Sequence, residues 1–251
     1  MRLLPVLDLL GGVVVHASGG QREGYLPIVS PLSSDSSPSE IVAGLLQWLR
    51  FSHLYLADLD AIMGRGDNSS VIATIAQSYP DLELWVDAGA VSCEAIIQLL
   101  ALGVVRPVVG TESLPDLETW QMLRSSPWAD CLVLSLDHRN RDFLGPVGLN
   151  EQPELWPETV IAMSLDHIGS REGPDWVLLE WLRQKRPQKG ELLAAGGVSC
   201  LEDLKQLATW GADGVLLASA LHNGSLSAAG MREILQGLPP LKGNLFLTVT
   251  F

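Results

Sequence analysis

Short apolar runs rich in β-branched residues recur along the chain at Leu3–Leu9, Leu54–Asp58, Leu82–Asp87, Val104–Gly110, Cys131–Asp137, Val160–Ser164, Leu192–Ala195 and Gly214–Leu217. The runs are continuous rather than alternating, as in parallel strands covered on both faces. Longer stretches of helical character separate them. Eight such strands alternating with helices predict an α/β fold, a closed (β/α)8 TIM barrel, in a single domain over residues 1–251. An open doubly wound sheet is the alternative topology. It lacks its usual support here, because no G-x-G-x-x-G follows the first run.

An internal repeat divides that barrel in two. Ala88-Gly89-Ala90-Val91-Ser92-Cys93 recurs 107 residues later as Ala195-Gly196-Gly197-Val198-Ser199-Cys200. Each copy follows an apolar run and precedes a helix-like segment, Glu94–Leu102 or Leu201–Trp210, then a glycine and a further apolar run leading to Gly110-Thr111 or Ala218-Ser219. The half-barrels fall at roughly 1–125 and 126–240, with an apolar tail at 241–251 that reads as an extra strand or a packing strap. Ser199 with Glu202 has capping-box spacing, which would start a helix just after the second glycine pair. The Gly-, Ser- and Pro-rich segment Ser18–Ser39 is too long for an ordinary barrel loop and reads either as a lid over the strand ends or as disorder.

Charge narrows the partners. With 16 Lys and Arg against 29 Asp and Glu, the chain carries a formal net charge of −13, which repels nucleic acid and anionic membranes. A phosphorylated ligand would therefore be held by local backbone N–H groups rather than by the overall field. No apolar stretch approaches the roughly 20 residues of a membrane span, and no targeting segment is visible. Cys93, Cys131 and Cys200 lack metal-type spacing, so neither a disulfide framework nor a zinc site is expected, and the cytoplasm is the expected compartment.

In an eight-strand barrel the active site lies at the carboxyl ends of the strands. Asp8 ends the first run and Asp137 the fifth, so the two face each other across the mouth. Paired carboxyl groups on either side of a ligand suit a proton-moving isomerisation, one taking a proton while the other, kept protonated, gives one. Either Asp alone could equally cap a helix or steady a loop. Gly89, Gly110 and Thr111 after the third and fourth strands, and Gly196 and Gly197 with the weaker Ala218 and Ser219 after the seventh and eighth, form two candidate anion cradles. The alternative is that these glycines only make tight turns. Asp58 and Asp60 close the second strand and read as turn formers. The five histidines show no metal or catalytic-triad spacing, and no cysteine has a flanking base, so metal and covalent catalysis are disfavoured.

These residues resemble the histidine-biosynthesis barrels, above all the phosphoribosylformimino-5-aminoimidazole carboxamide ribotide isomerases. The resemblance rests on Pro5-Val6-Leu7-Asp8-Leu9 with Gly12-Val13-Val14-Val15, on Leu54–Ala61, on Ser135-Leu136-Asp137, and on Ala195-Gly196-Gly197-Val198 with Glu202-Asp203-Leu204, and it covers nearly the whole chain. It implies an Amadori aldose–ketose isomerisation with Asp8 and Asp137 as acid and base, a small substrate with two phosphates, no cofactor, no metal, and a monomer or homodimer. His16, Met163 and Gly169 stand at positions that would touch substrate.

Departures gather at the site. The family's sixth-strand Thr is here Met163, its Asp-Gly-Thr is Ile168-Gly169-Ser170, its Gly-Gly-Gly-Ile-Arg is Asp87-Ala88-Gly89-Ala90-Val91, and its eighth-strand Gly-Lys is Ala218-Ser219. A Met cannot hydrogen-bond a substrate hydroxyl. Three readings stay open: the histidine-pathway isomerase, a divergent paralogue acting on another phosphorylated metabolite of the kind associated with methanopterin-linked one-carbon metabolism, and a non-catalytic barrel that binds a phosphorylated ligand. The related cyclase barrel normally has a Lys soon after the first-strand Asp, where Leu9-Leu10-Gly11-Gly12 has none.

Overall fold

The computed structural model describes residues 1–17, 22–170, 172–187 and 189–237. Eight parallel strands run in the order β1 (Arg2–Leu10), β2 (His53–Asp58), β3 (Glu83–Asp87), β4 (Arg106–Gly110), β5 (Val133–Arg139), β6 (Thr159–Ser164), β7 (Glu191–Ala195) and β8 (Gly214–Leu217). Each pairs with the next, and Arg2–Pro5 of β1 pair with Gly214–Leu217 of β8, closing the (β/α)8 barrel. The strand bounds lie within two residues of the apolar runs.

Helices α1 (Pro38–Trp48), α2 (Ser69–Ser78), α3 (Cys93–Ala101), α4 (Leu117–Arg124), α5 (Trp176–Lys185), α6 (Leu201–Trp210) and α7 (Ala228–Gly237) form the outer layer. The connection from β5 to β6 carries the two-residue strand Asp142–Phe143, which pairs back on β5, and short 3-10 turns at Leu149–Glu151 and Pro153–Leu155 in place of a full helix. Pro146, Pro153 and Pro157 punctuate it and remove the N–H donors a longer helix would need. Indole N–H groups hold this segment instead: Trp156 donates to the Leu149 carbonyl at 2.8 Å and Trp120 to the Leu155 carbonyl at 3.0 Å.

Two separate apolar clusters follow from covering both faces of the strands. The larger fills the shell between strands and helices; the smaller, including Leu4, Tyr55, Trp85, Val108, Val133, Ile161, Leu193 and Leu216, fills the barrel itself. Below it, the first residues of six strands form a polar plug. Arg2 and Arg106 each lie 5.4 Å from the centre of the fully buried Trp85 ring. Arg2 pairs with Glu191, Arg106 donates to Thr159 at 2.7 Å, Thr159 donates to Glu191 at 2.9 Å, and the Trp85 indole donates to Glu83 at 2.9 Å. His53 stacks edge-on against Trp85. Each charge is thus paired or placed on an aromatic face, which lowers the cost of its partial burial.

At the other end, the expected turn formers do more than turn. Asp58 caps the short helix Leu59–Ile62 by accepting from the Ala61 N–H at 3.2 Å, and accepts from the Asn68 backbone at 2.7 Å and side chain at 2.6 Å. The same Asn68 amide donates to Asp60 at 2.9 Å, while the Gly12 N–H donates to Asn68 at 3.0 Å and the Gly11 N–H to Asp60 at 2.6 Å. This network binds the turn after β1 to the end of β2.

Residues 22–39 of the segment expected as lid or disorder are packed. Leu26–Pro27 pair with Val15–His16, the Ile28 N–H donates to the Val14 carbonyl at 2.9 Å, and the Val14 N–H donates to the Ser36 carbonyl at 2.9 Å. Buried Ser30 meets the Nδ1 of buried His222 at 2.9 Å, and burial pushes that imidazole down to about 4. Residues 18–21 and the apolar tail lie outside the described residues. The expected capping box is displaced by one residue: Asp203, not Glu202, accepts from the Ser199 and Cys200 N–H groups at 2.8 and 3.2 Å, because α6 begins at Leu201 and the shorter side chain folds back on its own turn.

Asn68→Ala leaves buried Asp58 without its amide donor and the Gly12 N–H without its acceptor, so thermal unfolding should show a loss of about 3 kcal/mol, or roughly 6–12 °C in Tm.

Candidate active site

A cavity of about 920 Å³, counting its open mouth, sits over the carboxyl ends of the strands. Its lining brings together Asp8 and Asp137 with Met163, Gly169, Gly196, Gly197, Ala218 and Ser219. Gly89, Gly110, Thr111 and exposed His16 are not part of the lining. Four residues that sequence reading did not select as site residues do line it: Arg22, Tyr55, Asp87 and Glu112.

The carboxyl groups differ in their surroundings. Asp137 is almost fully buried; its Oδ1 accepts from the Ser135 hydroxyl at 2.6 Å and its Oδ2 from the Glu112 N–H at 3.0 Å. Its own N–H donates to the Thr111 hydroxyl at 2.9 Å, which turns that hydroxyl toward Asp137 Oδ2 at 3.5 Å. Thr111 therefore positions a carboxyl group. Asp8, by contrast, has no hydrogen-bond partner among the described residues and faces the cavity directly. Asp87 accepts from the Gly89 N–H at 3.0 Å and from the Tyr55 hydroxyl.

Gly110 sets the approach of two of these groups. A Cβ there would stand 3.0 Å from Asp87 Oδ2 and 3.2 Å from Asp137 Oδ2, so a side chain would crowd the space between β3 and β5. On the far rim, Gly197 has a φ of +84°, and a Cβ on it would lie 1.9 Å from the Gly173 carbonyl oxygen. Only glycine lets the loop after β7 lie against the loop after β6.

Loss of water dominates the electrostatics. Burial raises Asp137 to about 8, against the pull of its donors, with Asp87 and Glu112 pushing the same way. Burial raises Asp8 to about 7, opposed by the Arg22 guanidinium, and Asp87 to about 6, opposed first by its Gly89 hydrogen bond. Arg22 itself is ion-paired with Glu112. The Tyr55 phenol is held protonated by its burial and by the surrounding carboxylates. Both carboxyl groups are thus raised into the neutral range and line one cavity from opposite strands, so that each can hold or release a proton there, as proton donation and withdrawal across a ligand require. Among the described residues no group of three or more His, Cys, Asp or Glu side chains is placed to hold a metal ion. No helix of the described residues is long and apolar enough to cross a membrane.

Residues 2–227 match the family model described as "Histidine biosynthesis protein". The chain belongs to that family. It is 30% identical over 230 residues to an uncharacterized protein of Methanocaldococcus jannaschii, covering 90% of this chain and 95% of the other. It is 29% identical over 245 residues to a 1-(5-phosphoribosyl)-5-((5-phosphoribosylamino)methylideneamino) imidazole-4-carboxamide isomerase of Thermus thermophilus, covering 90% and 96%. To the isomerase of the same name in Methanosarcina acetivorans it is 29% identical over 254 residues, covering 93% and 98%. At family level this is an isomerase-type histidine-biosynthesis barrel.

Of the missed residues, Asp87 left a readable signal. It ends its apolar run as Asp8 and Asp137 end theirs, and Ala195 ends the matching run of the second half, so it breaks the internal symmetry. Arg22 and Glu112 left none, since both come from irregular segments that only the fold brings to the mouth.

The folded protein holds the protons of Asp8, Asp87 and Asp137 more tightly than an unfolded chain does. That stabilisation is complete below the ordinary carboxyl value of 3.8 and is lost as pH climbs through about 6 to 8. Asp137→Asn removes one such group, so calorimetry should show the Tm difference between variant and parent moving in the variant's favour by several degrees between pH 5 and pH 9.

Proposed function

We propose that this protein catalyses an aldose–ketose isomerisation of a phosphorylated metabolite, with Asp8 as general base and Asp137 as general acid. The observation that carries this reading is the pair of carboxyl groups on opposite strands of one cavity, Asp137 almost fully buried and held by hydrogen bonds, Asp8 lining the cavity with its carboxyl group unpaired among the described residues. In an Amadori rearrangement protonated Asp137 gives its proton to the ring oxygen of an aldosylamine, opening the ring to an imine. Ionised Asp8 withdraws the C2 proton and returns it to C1 as the eneaminol's C2 hydroxyl gives its proton back to Asp137 and becomes the ketone. Ser135, Thr111 and the Glu112 N–H hold Asp137 in place for this step.

The neutral rim after β7 and β8 supplies the phosphate end. Gly196, Gly197 and Ser219 line the cavity there, and no acidic side chain of β7 or β8 does. Met163 fills the place where a hydroxyl would meet the substrate and makes that wall apolar. The names of two relatives make the two-phosphate histidine-pathway ribotide the reference compound to assay. Other phosphorylated aldosylamines satisfy the same acid/base geometry.

Purified protein mixed with the two-phosphate ribotide and with singly phosphorylated aldosylamines, followed by NMR loss of the aldose signals, tests the reading. Turnover of a phosphorylated aldosylamine should fall by about 10²–10⁴-fold in both Asp8→Asn and Asp137→Asn. Turnover that survives either substitution removes the acid/base assignment. Because the base must be ionised and the acid protonated, kcat/KM should rise as pH passes about 7 and fall as it passes about 8, both limbs belonging to the coupled cluster rather than to single residues.

A further inference from the structure

The cavity is electrically lopsided. Every acidic side chain lining it comes from the β1 to β5 side: Asp8, Asp87, Glu112 and Asp137. Among the described residues, those that line it from β6 to β8 and their loops, such as Met163, Ala195, Gly196 and Gly197, are uncharged. The asymmetry is built into the duplicated halves. Asp87 pairs with Val108 on the inner face of β3 and β4 as Ala195 pairs with Leu216 on that of β7 and β8, so uncharged Ala195 lines the cavity where the first half has Asp87.

These acids also shut the first of the two anion cradles. The Gly89 N–H is spent on Asp87 Oδ1 at 3.0 Å, and the Glu112 N–H on Asp137 Oδ2 at 3.0 Å. Thr111 is buried and engaged with Asp137. A phosphate arriving at this end would find these backbone donors already engaged, and three carboxyl groups beside it. Arg22 does not rescue it, because its guanidinium is paired with Glu112. Opposite, the Asp8 carboxyl group lines the cavity with no hydrogen-bond partner among the described residues, leaving an acceptor for a donor on the ligand.

We infer that the substrate carries a single phosphate, bound on the β7–β8 side, and presents an ammonium or other cationic amine to the carboxyl-lined β3–β4 side. This rests on the phosphorylated-substrate reading above and narrows its class: a second phosphate is excluded and an amine is selected. Asp87 and Glu112 are the residues that determine this specificity. Both groups gain from a cation, which relieves their mutual repulsion in a site from which water is largely withdrawn.

Calorimetric titration of the full-length protein at pH 7.5 tests the inference with four probes: inorganic phosphate, butyl phosphate, 4-aminobutyl phosphate and butane-1,4-diyl bisphosphate. The expected order is 4-aminobutyl phosphate tightest, by at least about tenfold over butyl phosphate, and the bisphosphate weakest of the three esters. In Asp87→Asn, where the amide oxygen still accepts from Gly89, that tenfold preference should shrink while butyl phosphate affinity stays within about twofold. Retained butyl phosphate binding also shows that the variant is folded. A bisphosphate that binds more tightly than butyl phosphate, or a preference for the amine that Asp87→Asn leaves intact, overturns this inference and leaves the isomerase reading standing. Failure of every probe, inorganic phosphate included, overturns both.

Discussion

Closure of the barrel between β1 and β8 is the constraint on which the site depends. Pairing Arg2–Pro5 with Gly214–Leu217 makes the sheet continuous, so the carboxyl ends of all eight strands converge on one mouth. Asp8 and Asp137 lie 129 positions apart in the chain and meet across that mouth only because three strands separate them in either direction. Below the mouth the lumen is filled by Trp85 and its apolar neighbours, which leaves the carboxyl groups above no water beneath them. Burial is the first cause of the upward shift in Asp8, Asp87 and Asp137 alike. The chemistry of the site is therefore a consequence of how the core is packed.

The two ends of the barrel treat charge in opposite ways. At the amino ends of the strands, Arg2 with Glu191 and Arg106 with Thr159 satisfy one another around the Trp85 ring. At the carboxyl ends four acids share one guanidinium. Unrelieved like charge is unfavourable for folding, and it persists here beside a hydrogen-bond network, Asp58 with Asn68 and Gly12, that fastens the same rim. Such strain at a rigidly held mouth is where proton-transfer function is expected.

Much of this was legible in the sequence, for reasons that are physical. Strands covered on both faces must be continuously apolar, so the eight runs located β1 to β8 within two residues. The lack of a full helix between β5 and β6 was less visible, because prolines announce a break without saying what replaces it. At the site, Asp8 and Asp137 could be read because each terminates a run. Asp87 terminates one too, yet its neighbours Ala88 and Gly89 drew the reading toward an anion cradle; which acceptor a glycine N–H serves is decided by side-chain packing that periodicity does not encode. Arg22 and Glu112 belong to irregular segments, and their pairing across 90 positions is a property of the closed fold alone. The displaced cap at Asp203 shows the same limit on a smaller scale, where one residue of phase changes which side chain reaches back.

The contact between Gly197 and Gly173 couples two loops that the chain order treats as independent. With the Gly173 carbonyl oxygen 1.9 Å from where a Cβ would stand on Gly197, neither loop can be lengthened, reshaped or given a side chain at that point without a matching change in the other. Substitutions that remodel this wall of the cavity are therefore expected to appear in descendants as correlated pairs spanning the β6 and β7 loops.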